Sequence, residues 1–218
     1  MPRLGIITGL ANEARCFMGA KLDVACSGAD SARAGELARG MAANGCEGLV
    51  SFGLAGGLDP NLRCGDLVLP DRVISGSSVW AADEEWRQRL LQDLDIVGGA
   101  IAGSSTLVAT PQMKADLRRE TGAVAVDMES HAVAVAAHEA GLPFVVIRVI
   151  ADTYEVAVPA WVANIIGRNG KVRLIAAMAA LAANPLDIPG VFGLAGQNGR
   201  AMAVLRRVAT FVGGQGIL

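Results

Sequence analysis

The stretch Leu142 to Ile150 is an almost unbroken run of apolar, largely β-branched side chains, with Arg148 as its single charge. A run of this kind reads as a strand buried on both faces, and such strands belong to parallel sheets covered by helices on either side. Further apolar segments predict strands at Leu4–Thr8, Leu22–Cys26, Gly48–Phe52, Asp66–Ile74, Ala100–Gly103 and Ala123–Val126, with the long run itself forming Pro143–Ile150. Helical patterns fall between them, at Asn12–Met18, Ser31–Ala43, Glu84–Asp93, Gln112–Glu120 and Ser130–Ala140, and a longer helical tail begins near Val172. This alternation predicts an α/β fold, a three-layer sandwich around a mixed, largely parallel central sheet. With 218 residues, 52% of them hydrophobic but only 4% aromatic, the chain has the Ala, Val, Leu and Ile content to form it as one domain.

Several boundaries have local causes. Asp30 or Ser31 can cap a helix that stops at Asn44-Gly45, and Thr110-Pro111 places a cap before proline at the first helical position. Leu69-Pro-Asp71 interrupts the strand around it, which predicts an edge or a bulge there. The Gly190–Gly199 stretch reads as the most mobile part, within a helical tail over 183–218.

Composition excludes several function classes. The formal net charge is −2, and Arg118-Arg119 and Arg206-Arg207 are isolated pairs, so nucleic acid is not expected as a partner. Cys16, Cys26, Cys46 and Cys64 stand 10, 20 and 18 residues apart without a CxxC or Cys/His cluster, which points to reduced structural thiols and no metal site. No signal peptide is expected, because Leu4 to Ile7 reads as a first strand, and Leu174 to Ala183 is too short at 10 residues to span a bilayer. The expected protein is cytoplasmic.

Ligands in open α/β sheets bind beyond the carboxyl ends of the strands. Asp127 and Glu129 follow one predicted strand and Asp152 follows another, so these carboxylates are the first candidates for chemistry. Met128 between the two acids reads either as core or as an apolar floor under a sugar ring. Gly53-Leu-Ala-Gly-Gly57 follows a buried strand and is expected to be a ligand-contacting loop, the alternative being a turn that merely needs glycine. Glu13, at the start of the first helix, serves either the helix dipole or the site. His131 and His138 share a helix face and read as structural. Thr8-Gly-Leu-Ala11 lacks the glycine spacing of a dinucleotide fingerprint, which argues against a nucleotide-dependent oxidoreductase.

Five motifs in order carry a resemblance: Gly5-Ile-Ile-Thr-Gly-Leu-Ala-Asn-Glu13, Ser51-Phe-Gly-Leu-Ala-Gly-Gly-Leu58, Gly65-Asp-Leu-Val68, Val126-Asp-Met-Glu-Ser130 and Phe144-Val-Val-Ile-Arg-Val-Ile-Ala-Asp152. Together they resemble the nucleoside phosphorylase and nucleosidase superfamily. Within it the chain is most similar to hopanoid-associated phosphorylases, which release adenine from adenosylhopane, and it also resembles methylthioadenosine/S-adenosylhomocysteine nucleosidases.

The resemblance implies an enzyme that cleaves a purine–ribose bond, with no cofactor and phosphate as co-substrate if it is a phosphorylase. Asp152 matches the acid that protonates purine N7, and Glu129 the glutamate that holds the ribose hydroxyls, with Met128 against the sugar and Asp127 beside it. Glu13 matches the acid that activates water in nucleosidases, while Gly53, Leu54, Ala55, Leu107 and Val108 match positions around the nucleoside. Where phosphorylases hold phosphate, this chain has Ser51 and Leu54, so phosphate would need Arg15, Arg148, an arginine from a partner subunit or backbone N–H groups. Phosphorolysis of adenosylhopane is the preferred reading, a methylthioadenosine-type hydrolase the second and a non-catalytic nucleoside-binding protein the third. The superfamily also implies a homo-oligomer. The apolar residues of Pro159–Ile166 and Leu174–Phe192 are read as core or subunit interface, with an apolar substrate mouth, and contact with a membrane surface through a lipid-linked substrate, as the alternative.

Overall fold

The apolar run Leu142–Ile150 lies at the centre of the molecule, buried on both faces. A computed structural model of the protein describes residues 3–91 and 96–215. In chain order its elements are β1 (Leu4–Thr8), α1 (Ala11–Ala14), β2 (Asp23–Cys26), α2 (Ser31–Ala43), β3 (Gly48–Gly57), β4 (Leu67–Val68), β5 (Arg72–Ser75), β6 (Ser78–Ala81), α3 (Glu84–Leu91), β7 (Ile96–Val97), β8 (Ala100–Gly103), α4 (Pro111–Thr121), β9 (Ala125–Asp127), α5 (Ser130–Ala140), β10 (Phe144–Asp152), α6 (Leu174–Ala183) and α7 (Ile188–Gln215). Short 3-10 turns lie at Arg15–Phe17, Ala160–Ile165 and Pro185–Asp187.

The ten strands form one mixed sheet in the order β6-β5-β8-β9-β3-β10-β4-β7, with β1 on β3 and β2 beyond β1. The pairs β1–β2, β1–β3, β3–β10, β5–β8 and β8–β9 are parallel, whereas β9 joins β3 antiparallel through Gly56 and Gly57. Side chains alternate across it. Val145, Ile147 and Val149 pack with Phe17, Trp86, Leu205 and Val208 on one face, while Phe144, Val146 and Ile150 pack with Ala34, Ala38, Val133 and Ala137 on the other. Helices therefore cover both faces, α7 with α3 on one and α2 with α5 on the other, giving the three-layer α/β sandwich that the alternation predicts.

The caps on α2 and α4 form as expected, with Asp30 accepting from the Arg33 amide and Thr110 from the Met113 amide. Two expectations need correction. Gly53–Gly57 is not a loop: β3 continues through it, because β10 and β9 supply hydrogen-bonding partners on both sides. The expected strand Asp66–Ile74 is two short strands split around Pro70, which lacks the N–H needed to continue a ladder. The Gly190–Gly199 stretch lies inside the helix α7. The helix expected over Glu84–Asp93 runs to Leu91, and Gln92 and Asp93 lie outside the described residues. The hairpin strand β6 and the two-residue strands β4 and β7 carry too few residues for a periodic signal.

Candidate active site

The carboxyl ends of β1, β3, β9 and β10 converge on a cavity of ≈ 180 Å³ lined by Glu13, Leu54, Ala55, Leu107, Met128, Glu129 and Asp152, among others. A smaller hollow of ≈ 60 Å³ adjoins it, sharing Gly56, Leu107, Met128 and Asp152 and adding Val108 and Val158. A larger open groove of ≈ 510 Å³ lies at the opposite, amino-terminal end of β10, between Trp80, Asp83, His138 and Phe144. Size does not decide between them. The acids expected to act gather around the smaller pair, at the sheet end where α/β folds bind ligands.

Glu13 reaches this cavity because α1 starts immediately after β1. Its Oε2 accepts from the amides of Gly9 (2.9 Å) and Leu10 (2.7 Å), and its Oε1 accepts from the Leu54 amide on β3 (2.9 Å). Three backbone donors hold the carboxyl in one orientation, which the dipole-only role does not need. Burial pushes Glu13 above the usual carboxylate range, opposed by Arg148 and these amides.

Glu129 stands at the turn from β9 into α5. A Cβ on Gly9, just after the first strand, would lie 2.7 Å from its Oε1, so a side chain there would displace the Glu129 carboxyl. Beneath it, the fully buried Arg148 donates through Nε to Asp127 Oδ2 (2.6 Å) and through Nη2 to Ser51 Oγ (2.7 Å), with Glu129 Oε2 at 3.4 Å. Asp127 also accepts from the Ser130 amide (3.2 Å) and hydroxyl, which ties the start of α5 to the same cation. Burial, with the Asp127 and Glu13 carboxylates adding to it, pushes Glu129 up to about 8, although Arg148 opposes the rise.

Asp152 ends β10, beyond a bulge at which the pairing with β3 slips between Ile150 and Asp152. The bulge re-aims the strand end. Lys114, the fourth residue of α4 and fully buried, contacts Asp152 Oδ2 and also donates to the carbonyls of Thr153 (2.7 Å) and Val156 (2.9 Å). Every ammonium proton is thereby engaged, and Asp152 Oδ1 has no protein donor among the described residues. Burial raises the Asp152 carboxyl and Lys114 pulls the other way.

Most residues singled out in the sequence meet here: Glu13, Leu54, Ala55, Leu107, Asp127, Met128, Glu129 and Asp152 line one cavity, and Val108 the hollow beside it. Gly53 does not line either. It lies behind them, where a Cβ would sit 2.7 Å from Arg148 Nη1 and 2.8 Å from Glu13 Oε1. Ser51 and Arg148 are sealed below the cavity, and Arg15 is exposed on the 3-10 turn and lines neither space. Lys114 is the residue the sequence reading missed. Its signal was a lysine three residues before Leu117 on the buried face of an amphipathic helix. Among the described residues, no group of three or more His, Cys, Asp or Glu is placed to hold a metal ion. The four cysteines are free thiols that burial pushes up, not down.

The phosphorylase superfamily model matches residues 18–171, more than two thirds of the chain. The chain belongs to the phosphorylase superfamily. A 5'-methylthioadenosine/S-adenosylhomocysteine nucleosidase of Glaesserella parasuis is 29% identical to this superfamily member over 129 residues, 49% of this chain and 56% of the relative. The chain thus spans about half the length of the curated relatives it matches. Among solved structures, a Helicobacter pylori variant with 5'-methylthioadenosine in its active site matches 84% of this chain and 99% of its own, with a TM-score of 0.68 at 16% identity. A Francisella philomiragia protein described as a 5'-methylthioadenosine/S-adenosylhomocysteine nucleosidase matches 97% of both chains, with a TM-score of 0.71 at 18% identity. These likenesses establish the fold of the superfamily over almost the whole chain.

Proposed function

We propose that this phosphorylase-superfamily protein hydrolyses the N-glycosidic bond of an adenine nucleoside, without a cofactor. The observation that carries the reading is one cavity holding Glu13 and Glu129 together with Asp152, and Met128 and Leu107 as apolar lining. Cleavage of such a bond develops positive charge on the ribose and negative charge on the base. Acids aimed at both partners stabilise the charges where they form.

In this reading Asp152 gives its proton to purine N7 through Oδ1 as the C1'–N9 bond breaks, and the bonding pair leaves with the base. Glu129 bonds the ribose hydroxyls. A water held by Glu13 attacks C1' and passes its proton to the Glu13 carboxylate. General acid help of this kind is typically worth about 10²–10⁴-fold. Lys114 fixes the oxygen of Asp152 that does not transfer the proton.

The geometry favours water over phosphate as acceptor. Arg148 and Ser51 are bonded to each other below the cavity, and Arg15 stands outside it, so no cation of the expected set lines the space a phosphate would occupy. On the substrate, an apolar addition to the adenosyl group is supported by Ile166, which lines the cavity eight residues before the start of α6. That leaves methylthioadenosine and adenosylhopane as the two substrates to compare. Adenine release from adenosine, methylthioadenosine and an adenosylhopane, each with and without phosphate, tests the whole reading. Equal release without phosphate supports it. Phosphate-dependent formation of a ribose 1-phosphate would make the protein a phosphorylase, and no release from any of them would leave a binding protein.

A further inference from the structure

Between Glu155 and Asp187 the chain has no acidic residue, although its net charge is −2, and the same stretch carries Arg168, Lys171 and Arg173. All three are exposed. Helix α6 follows at once and is apolar all round, with no polar residue between Leu174 and Ala183. Ala176, Ala177 and Ala180 are half-buried in a helix that contacts the 3-10 turns on either side of it, whereas Ile175 (86% exposed), Met178 (64%), Ala179 and Ala182 face outward at helical spacing. Leu186, 94% exposed, and Val172, 59% exposed, extend this stripe at its two ends. A surface helix normally turns its apolar side to the core. Large apolar side chains held in water mark a surface that an apolar phase covers, and the basic cluster beside them favours one whose boundary is anionic.

The segment is fixed to the rim of the cavity. Ile166 pairs with Val172 around a tight turn, and the Gly170 carbonyl accepts from the Ala11 amide (3.0 Å) while the Arg168 carbonyl accepts from Arg33 Nη1 (2.9 Å). Trp161 Nε1 donates to Asp187 Oδ2 (2.8 Å), which ties the turn before α6 to the turn after it. Among the described residues no helix is long and apolar enough to cross a membrane. An anionic lipid surface satisfies both halves of the pattern at once, the apolar stripe by shallow burial and the cations by the headgroups.

We propose that α6 and the basic turn before it form a docking surface for an anionic bilayer, which brings the cavity mouth to the membrane. The proposal does not depend on the reaction. Co-sedimentation of the full chain with phosphatidylcholine vesicles, and with vesicles containing phosphatidylglycerol, tests it. Binding to the anionic vesicles is expected, weakening as salt rises. Ile175→Asp with Met178→Asp is expected to abolish it, and Lys171→Glu with Arg173→Glu to reduce it about tenfold or more. Because these side chains are exposed, circular dichroism and the melting temperature should stay unchanged. Absence of wild-type binding to the anionic vesicles would overturn the proposal, as would equal binding by the Asp variant. So would a change in oligomeric state in the Asp variant without vesicle binding by the wild type, which would make the face an interface between copies of this chain.

Discussion

Arg148 and Lys114 are the two fully buried cations among the described residues, and each stands behind carboxylates that line the cavity. Their surroundings differ in charge count. Arg148 contacts Asp127 and Glu129 and also acts on Glu13, three acids for one cation. Lys114 meets Asp152 alone and spends its other protons on two neutral carbonyls. In the first cluster burial and the neighbouring carboxylates therefore push Glu129 up to about 8, whereas the rise of Glu13 on burial is opposed by Arg148 and three backbone amides. In the second, one charge balances one charge, and the proton on Asp152 depends on burial outweighing its partner. The Arg148 side is built to hold and the Lys114 side to exchange.

The largest effect is expected at the exchanging side. Asp152→Asn keeps shape and removes the acid, so adenine release should fall about 10²–10⁴-fold while nucleoside affinity by calorimetry changes little. Turnover retained in this variant would separate Asp152 from the chemistry. On the holding side, Arg148→Met leaves acids buried without their cation and should cost about 3–5 kcal/mol in urea unfolding. A loss below about 1 kcal/mol would mean that the cluster is already neutral, and the contrast between the two sides would disappear.

How much of this contrast was legible beforehand differs by residue. Asp127, Glu129 and Asp152 could be placed from their positions after apolar runs, because strand ends are readable wherever a strand is buried on both faces. The layers followed for the same reason, since Val145 to Ile150 alternates between two apolar surfaces. Arg148 was visible as the one charge in that run but was weighed as a phosphate ligand. Its true neighbours come from β9 and β3, and that pairing involves strands far apart in sequence. Lys114 was lost because a lysine in a helix is normally solvated. Gly53–Gly57 was mistaken for a loop because glycine weakens strand signals, and here glycine is required by Arg148 and Glu13 pressing against the strand.

Lys114→Met sharpens the comparison further. Without the ammonium, burial acts on Asp152 unopposed, so the alkaline limb of kcat/KM should move to higher pH. The freed carboxylate should also lose its orientation and the rate should drop about 10²-fold. A slower enzyme with an unmoved limb would show that Lys114 only fastens the loop through Thr153 and Val156.

The smallest expected effect concerns stability on the holding side. Glu129 sits at about 8 in the folded protein against an ordinary 4.5, so between those pH values the folded chain binds a proton that the unfolded chain has released. Stability from this group is therefore complete below about 4.5 and declines as pH rises through about 8. Glu13 and Asp152 are raised as well and act in the same direction. Glu129→Gln removes one titrating group of the three, so its urea midpoint should decline less steeply than that of the wild type across this window. Above it the variant should be the more stable of the two, because the wild type then carries an ionised carboxylate in a site where one cation serves three acids. Equal slopes for the two proteins would mean that Arg148 keeps Glu129 ionised throughout, and the contrast with the Lys114 side would be lost.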